Sequence, residues 1–190
     1  MSQTSASLSA EAADRLRVFE RQRHDKLAPT YQDFFSPVTA LAISPLLNAA
    51  QLRPGASLLD VATGPGSLAL EATKLGMICT GVDLSPGMIQ LAEKSNPGIA
   101  FRVADVEHLP FADASFDAVV CNFGLGHFPY PEKSVAECVR VLKPAGRIAL
   151  SWWDDPSKQR ITRALSRSHC RNRSSTVSRR TTRSRSLQIC

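Results

Sequence analysis

Leu58-Leu59-Asp60-Val61-Ala62-Thr63-Gly64-Pro65-Gly66-Ser67 decides how the rest of the chain is read. An apolar run ends in an acid, turns on two glycines and opens a helical pattern. Glycines in such a turn let the backbone come close to a ligand, because a Cβ would occupy the ligand's space. The same unit recurs downstream. Ser57 to Ala62 reads as a strand and Ser67 to about Leu75 as a helix; Met77 to Val82 and Pro86 to about Lys94 repeat the pair. Ser85 suits an N-cap and Pro86 a first helical turn. Ile99 to Val103 and Phe116 to Asn122 read as strands, and Pro131 to Leu142 as a helix halted at Pro144-Ala145-Gly146. Arg147 to Trp153 reads as a fifth strand. Upstream, residues 11–26 read as a charged helix and 37–51 as an apolar one ending before Pro54-Gly55.

Strands alternating with helices imply parallel pairing and right-handed crossovers. Near-continuous apolar strands such as SLLDVA and DAVVCN suit a sheet covered on both faces. The expected fold is therefore α/β, a Rossmann-like doubly wound, mostly parallel sheet of five strands with helices on both sides. In such sheets ligands bind beyond the carboxyl ends of the strands, and acids stand there. Asp60 ends the first strand. Asp83 ends the second, 19 residues after Gly64, where a carboxylate can accept two ribose hydroxyls. Asp105 follows the third, where it can accept from an adenine amine. Gly64 to Ala69 also matches the dinucleotide fingerprint G-x-G-x-x-A, a weak match taken alone. Asp60 opposes that reading, since a pyrophosphate wants helix amides and no neighbouring anion. The same carboxylate suits an α-ammonium group.

The set LLDVATGPGSLAL, GVDLSPGMI, FRVADVEHLPF, FDAVVCNFGLGHF and RVLKPAGRIALSWW resembles the class I S-adenosylmethionine-dependent methyltransferases. Within them it is most similar to ubiquinone-biosynthesis-type and other small-molecule enzymes, over about residues 30–155. The resemblance implies S-adenosyl-L-methionine as cofactor and a metabolite acceptor, as in secondary metabolism. It implies that Asp60 and the Ala62, Gly64 and Gly66 loop hold the methionine part. Asp83 would bind the ribose, with Leu84 and Met88 near the adenine and Asp105 and Val106 at its edge. Asn122 would lie near the transferring methyl. Ala62 and Ala145 stand where the family usually has glycine. Tyr31, Phe34 and Phe35 are lid candidates, with helix packing the plainer alternative. His127 stands where a general base could, or is an ordinary loop histidine. Family members continue past the fifth strand with a helix and two strands, so those final strands are expected to be missing here.

Charge divides the chain. Residues 159–190 hold nine Arg and no acid, whereas 1–158 hold 14 basic residues against 17 acidic ones. A mildly acidic body thus carries a basic tail. The expected organisation is a disordered 1–10, a methyltransferase domain over 11–158 and a disordered Arg/Ser-rich 159–190, apart from a short helix near Ile161 to Leu165. None of the five cysteines forms a C-x-x-C pair, so no metal is expected. No apolar run approaches the roughly 20 residues of a membrane span, and with no secretory core the reading is cytoplasmic. Nucleic-acid partnership rests on the tail alone, and no N-P-P-Y follows the fourth strand. A catalytically inactive remnant is the other alternative, and the oligomeric state is not legible.

Overall fold

A computed structural model describes residues 8–153 and the backbone of 163–166. Helix α1 (Ala10–Phe34) begins on Ser9, whose hydroxyl accepts from the Ala12 amide at 3.2 Å. It runs eight residues beyond the expected stop at residue 26, through Pro29. Short α2 (Ser36–Thr39), a 3-10 turn (Ala40–Ala42) and α3 (Ile43–Ala50) complete the N-terminal part. Then β1 (Ser57–Val61), α4 (Ser67–Lys74), β2 (Ile78–Asp83), α5 (Pro86–Ser95), β3 (Ala100–Val103), β4 (Phe116–Asn122), α6 (Pro131–Val141) and β5 (Leu142–Ser151) follow in order.

The sheet order is β3-β2-β1-β4-β5, all parallel, with β6 (Arg163–Ser166) antiparallel on the outer edge of β5. Alternation along the strands feeds two cores. Leu58, Ala118 and Val120 pack with Leu46, Leu47, Leu68 and Ala72 from α3 and α4 on one face. Leu59, Val119 and Ile148 pack with Cys138 and Val141 of α6 on the other. The five-strand Rossmann-like expectation therefore holds.

Two expectations do not. Helix α6 halts at Val141 as expected, but β5 starts at Leu142 rather than Arg147, so Pro144-Ala145-Gly146 lies within it, where the pairing with β4 shifts register between Phe116 and Ala118. Ala145 takes φ 64 there, which explains why glycine is the usual residue. The helix expected near Ile161 to Leu165 is instead strand β6, pairing Arg147 to Ser166 through Leu150 to Arg163. An exposed parallel edge leaves a row of unpaired amides and carbonyls, and extended backbone satisfies them where a helix would not. Of the disorder expected for residues 1–10, the end is overturned, since Ser9 caps α1 and Ala10 begins it, while 1–7 and the expected disorder of 159–162 and 167–190 lie outside the described residues.

Helix α1 is fastened across the carboxyl ends of the strands. Asp25 Oδ1 accepts from the Ser85 hydroxyl (2.5 Å) and the Gly87 amide (2.9 Å) at the start of α5. Arg17 meets buried Glu107 at 2.5 Å and Asp105 at 3.0 Å. Glu107 also accepts from the Tyr130 amide at 3.0 Å, so this one guanidinium holds α1 to two loops. Arg17→Met strands the buried Glu107 carboxylate and is expected to lower stability by about 2–4 kcal/mol, read from urea unfolding. An unchanged midpoint would contradict this fastening.

Candidate functional site

The strand order reverses between β1 and β4, the place where an open α/β sheet forms its ligand crevice. There the loops after β1 and β4 face each other beneath α1. They enclose a cavity of about 280 Å3. Its floor is Val61, Ala62 and Gly64 after β1, and Asp83, Leu84 and Met88 after β2. Asp105 and Val106 follow β3, and Asn122 and His127 follow β4. Tyr31 of α1 and Phe35 just beyond its end form the roof, stacked at 5.2 Å between ring centroids. Of the expected positions Ala62, Gly64, Asp83, Leu84, Met88, Asp105, Val106, Asn122, His127 and Tyr31, every one lines this cavity, whereas Gly66 stands outside it against Phe101 and Asn96. Phe34 does not: it is 72% exposed on the far side of α1, so the lid expectation fails for it.

Backbone geometry carries the first loop. Ala62, Gly64 and Gly66 all take positive φ, 54, 55 and 80°. A Cβ on Gly66 would lie 2.7 Å from the Phe101 ring, so that glycine is required by packing as well as by φ. Ala62 holds the left-handed conformation at a cost of about 1 kcal/mol relative to glycine.

Asp60 does not itself line the cavity; it is buried beneath the loop. Thr63 Oγ1 donates to its Oδ2 at 2.6 Å, and Oδ1 has no hydrogen-bond partner among the described residues. Burial pushes its carboxyl up to about 7, against the Thr63 hydroxyl and the Ala69 amide, and the Asp83 charge adds to the rise. Asp83 accepts from the Gly64 amide and the Ser85 amide, both at 2.9 Å. Burial raises its pKa as well, opposed by those two amides. Ser85 caps α5, its hydroxyl accepting from the Met88 amide at 3.0 Å, as the sequence indicated.

Asp105 is engaged on both oxygens, taking the Glu107 amide at 2.9 Å on Oδ1 and facing Arg17 with Oδ2. Asn122 donates to the Thr39 carbonyl (3.0 Å) and accepts from the Ser151 hydroxyl (2.7 Å), which tethers α2 to the end of β4. Sequence reasoning missed the aromatic wall formed by Phe123 and Trp153, whose rings stack at 4.1 Å. Phe123 takes φ 62, rare for a bulky residue and costing about 1–3 kcal/mol. It also missed Glu20 and His24 of α1, which line the cavity beside His127. Glu20, His24 and His127 bring one donor atom each within 4.8 Å of one another, a cluster hidden from a search by cysteine spacing.

Residues 59–150 match the family described as "Methyltransferase domain". By this match and by its sheet order the chain is similar to the class I S-adenosylmethionine-dependent methyltransferases. It is 38% identical over 104 residues to the demethylmenaquinone methyltransferase of Renibacterium salmoninarum, covering 55% of this chain and 44% of that protein. It is 34% identical over 150 residues to the ubiquinone/menaquinone biosynthesis C-methyltransferase of Geotalea daltonii, covering 72% and 63%. The YcgJ protein of Bacillus subtilis shares its fold at TM-score 0.56 and 31% identity, covering 62% of this chain and 54% of that one. The chain spans about half the length of the first curated relatives it matches. The cofactor of this methyltransferase family is S-adenosylmethionine, and the cavity fits it. Asp83 offers acceptor oxygens for a diol, Leu84, Met88 and Val106 offer an apolar slot for a flat base, and Asp60 holds an unpartnered acceptor beneath the glycine loop.

The burial of Asp60 beneath the cavity affects stability. The folded-state pKa of Asp60 lies above its unfolded value, so its contribution is full below about pH 4 and is lost as pH rises through about 7. Asp60→Asn is therefore expected to stabilise the ligand-free chain at pH 8, by about 2 kcal/mol or more, and to leave it unchanged near pH 4. Thermal unfolding at the two pH values measures this; equal shifts at both would contradict it.

Proposed function

We propose that this chain transfers a methyl group from S-adenosylmethionine to a small-molecule acceptor of the quinol class. One observation carries the reading: acids follow three consecutive strands at the crevice between β1 and β4, with an apolar slot between them. The relatives' names supply the acceptor class, since they are described as acting in menaquinone and ubiquinone biosynthesis. The domain responsible is residues 11–158.

In this reading Asp83 accepts the ribose hydroxyls, while Leu84 and Met88 sandwich the adenine. Val106 and the Asp105 carboxylate border its edge, with Arg17 fixing the Asp105 rotamer. Asp60 and the backbone of Ala62, Gly64 and Gly66 bind the methionine end. When bound, the cofactor supplies a methyl group already activated on a cationic sulfur. The protein's work is then orientation and exclusion of water. Tyr31 and Phe35 close the roof, and Asn122 and the Phe123–Trp153 pair wall the end where the acceptor enters. Aromatic faces there suit a cation. His127 stands at that end, where it can take a proton from an acceptor hydroxyl and raise electron density on the adjoining ring carbon. Among the described residues no helix is long and apolar enough to cross a membrane, and we place the enzyme in the cytoplasm.

Calorimetric titration with S-adenosylhomocysteine is expected to show one site per chain. Asp83→Asn is expected to weaken it about 10- to 100-fold through loss of charge-assisted hydrogen bonds. Turnover with a reduced 1,4-naphthoquinone is expected to give a product heavier by one methylene, read by mass spectrometry. Failure of the wild-type chain to bind S-adenosylhomocysteine would overturn the assignment.

A further inference from the structure

Helix α1 brings a carboxylate to His127 in the cavity wall. Glu20 keeps only 12% of its side chain exposed, and its Oε2 lies 3.1 Å from His127 Nδ1. The same oxygen is 3.5 Å from His24 Nδ1 and 3.4 Å from Arg23. His24 has a better partner: its Nδ1 sits 2.8 Å from the Glu20 backbone carbonyl, one turn back along the helix. A carbonyl oxygen only accepts, so His24 Nδ1 carries the hydrogen and spends it there. Glu20 Oε2, which also accepts from Arg23 Nη1 at 3.4 Å, is the atom that faces His127. The His24 ring also meets the His127 ring edge to face, with centroids 5.1 Å apart at 85°, and so limits how His127 can turn.

We propose that Glu20 is the positioning residue of His127. Its carboxylate stands in ion-pair contact with His127 Nδ1 and favours a hydrogen on that nitrogen, which leaves the Nε2 lone pair as the proton acceptor. A base oriented by a second group, itself held by a third, is a recurring way to activate a proton transfer. The proposal rests on the methyl-transfer reading. In the step it serves, an acceptor hydroxyl gives its proton to Nε2 and keeps the O–H electron pair on oxygen. The imidazolium formed is neutralised by Glu20. The carboxylate acts through His127 and touches no reactant. Because Glu20 belongs to α1, the same helix that roofs the cavity also sets the state of the group facing the acceptor.

The test uses the full chain labelled with 15N-histidine, with His127 assigned by His127→Gln. Long-range 1H–15N spectra are expected to show His127 as the Nδ1–H tautomer in the wild type. Glu20→Ala is expected to lose that preference. Glu20→Gln, which keeps an acceptor oxygen without charge, is expected to retain most of it. With a reduced 1,4-naphthoquinone, Glu20→Ala is expected to lower kcat about 10²- to 10³-fold, with acceptor KM and S-adenosylhomocysteine affinity within about threefold. Glu20→Gln is expected to fall between. Retained S-adenosylhomocysteine binding shows that each variant is folded, and its loss in the wild type alone would sink the methyl-transfer reading while the tautomer result still decides the role of Glu20. The same tautomer in wild type and Glu20→Ala would overturn the proposal. So would stoichiometric Zn2+ binding with turnover abolished by chelator, which would make the three side chains metal ligands.

Discussion

Two carboxylates sunk side by side at the ends of adjacent strands are the constraint around which this molecule is arranged. Burial raises the cost of ionising both Asp60 and Asp83, and the Asp83 charge raises that of Asp60 further. A fold that only needed stability would place apolar residues there, because uncompensated buried charge is expensive. The surrounding loop shows how the cost is contained without being removed. Gly64 and Ser85 turn their amides onto Asp83, Thr63 turns its hydroxyl onto Asp60, and one oxygen of Asp60 is left without a partner. Positive φ at Ala62, Gly64 and Gly66 lets the backbone make that turn. A cationic ligand would supply what the protein withholds.

The roof follows from the same electrostatics. An acidic crevice attracts basic and polar groups, and α1 provides them. Arg17 answers Asp105 and Glu107, while Asp25 is taken up by the exposed amides and hydroxyl at the start of α5. These contacts are polar, so the roof is held by directional bonds over the apolar slot rather than by continuity of the core. The two hydrophobic clusters lie in the sheet's flanks and do not include α1. The sheet and its flanking helices thus form a body on which the first helix is mounted.

The body was legible in the sequence and the mounting was not. Short apolar runs punctuated by Gly, Pro and a capping Ser locate β1, β2, β4 and α5 to within a residue or two, because local chemistry dictates them. Acids just beyond three strand ends marked the crevice for the same reason. The roles of Glu20, His24, Asp25 and Arg17 leave no such trace. On a charged helix they look like any solvated face, and their partners lie some 60 to 107 residues away in the chain. Pro144-Ala145-Gly146 hid the start of β5, because pairing with β4 carries the strand through it in a shifted register. Strand β6 was misread because edge pairing is decided by the neighbour's free backbone, not by the segment's own composition.

Gly124 and Ala62 face each other where the two crevice loops meet. A Cβ built on Gly124 would fall 2.5 Å from that of Ala62 and 2.8 Å from Cys121 Sγ. One methyl group fills the gap between the loops, and it belongs to position 62. The two sites therefore share a single allowance of volume, and neither has a tolerance of its own. Substitutions at one have to be judged against the occupant of the other, with effects that will not add. The departure from glycine at 62 and the glycine at 124 are, in steric terms, one choice made twice.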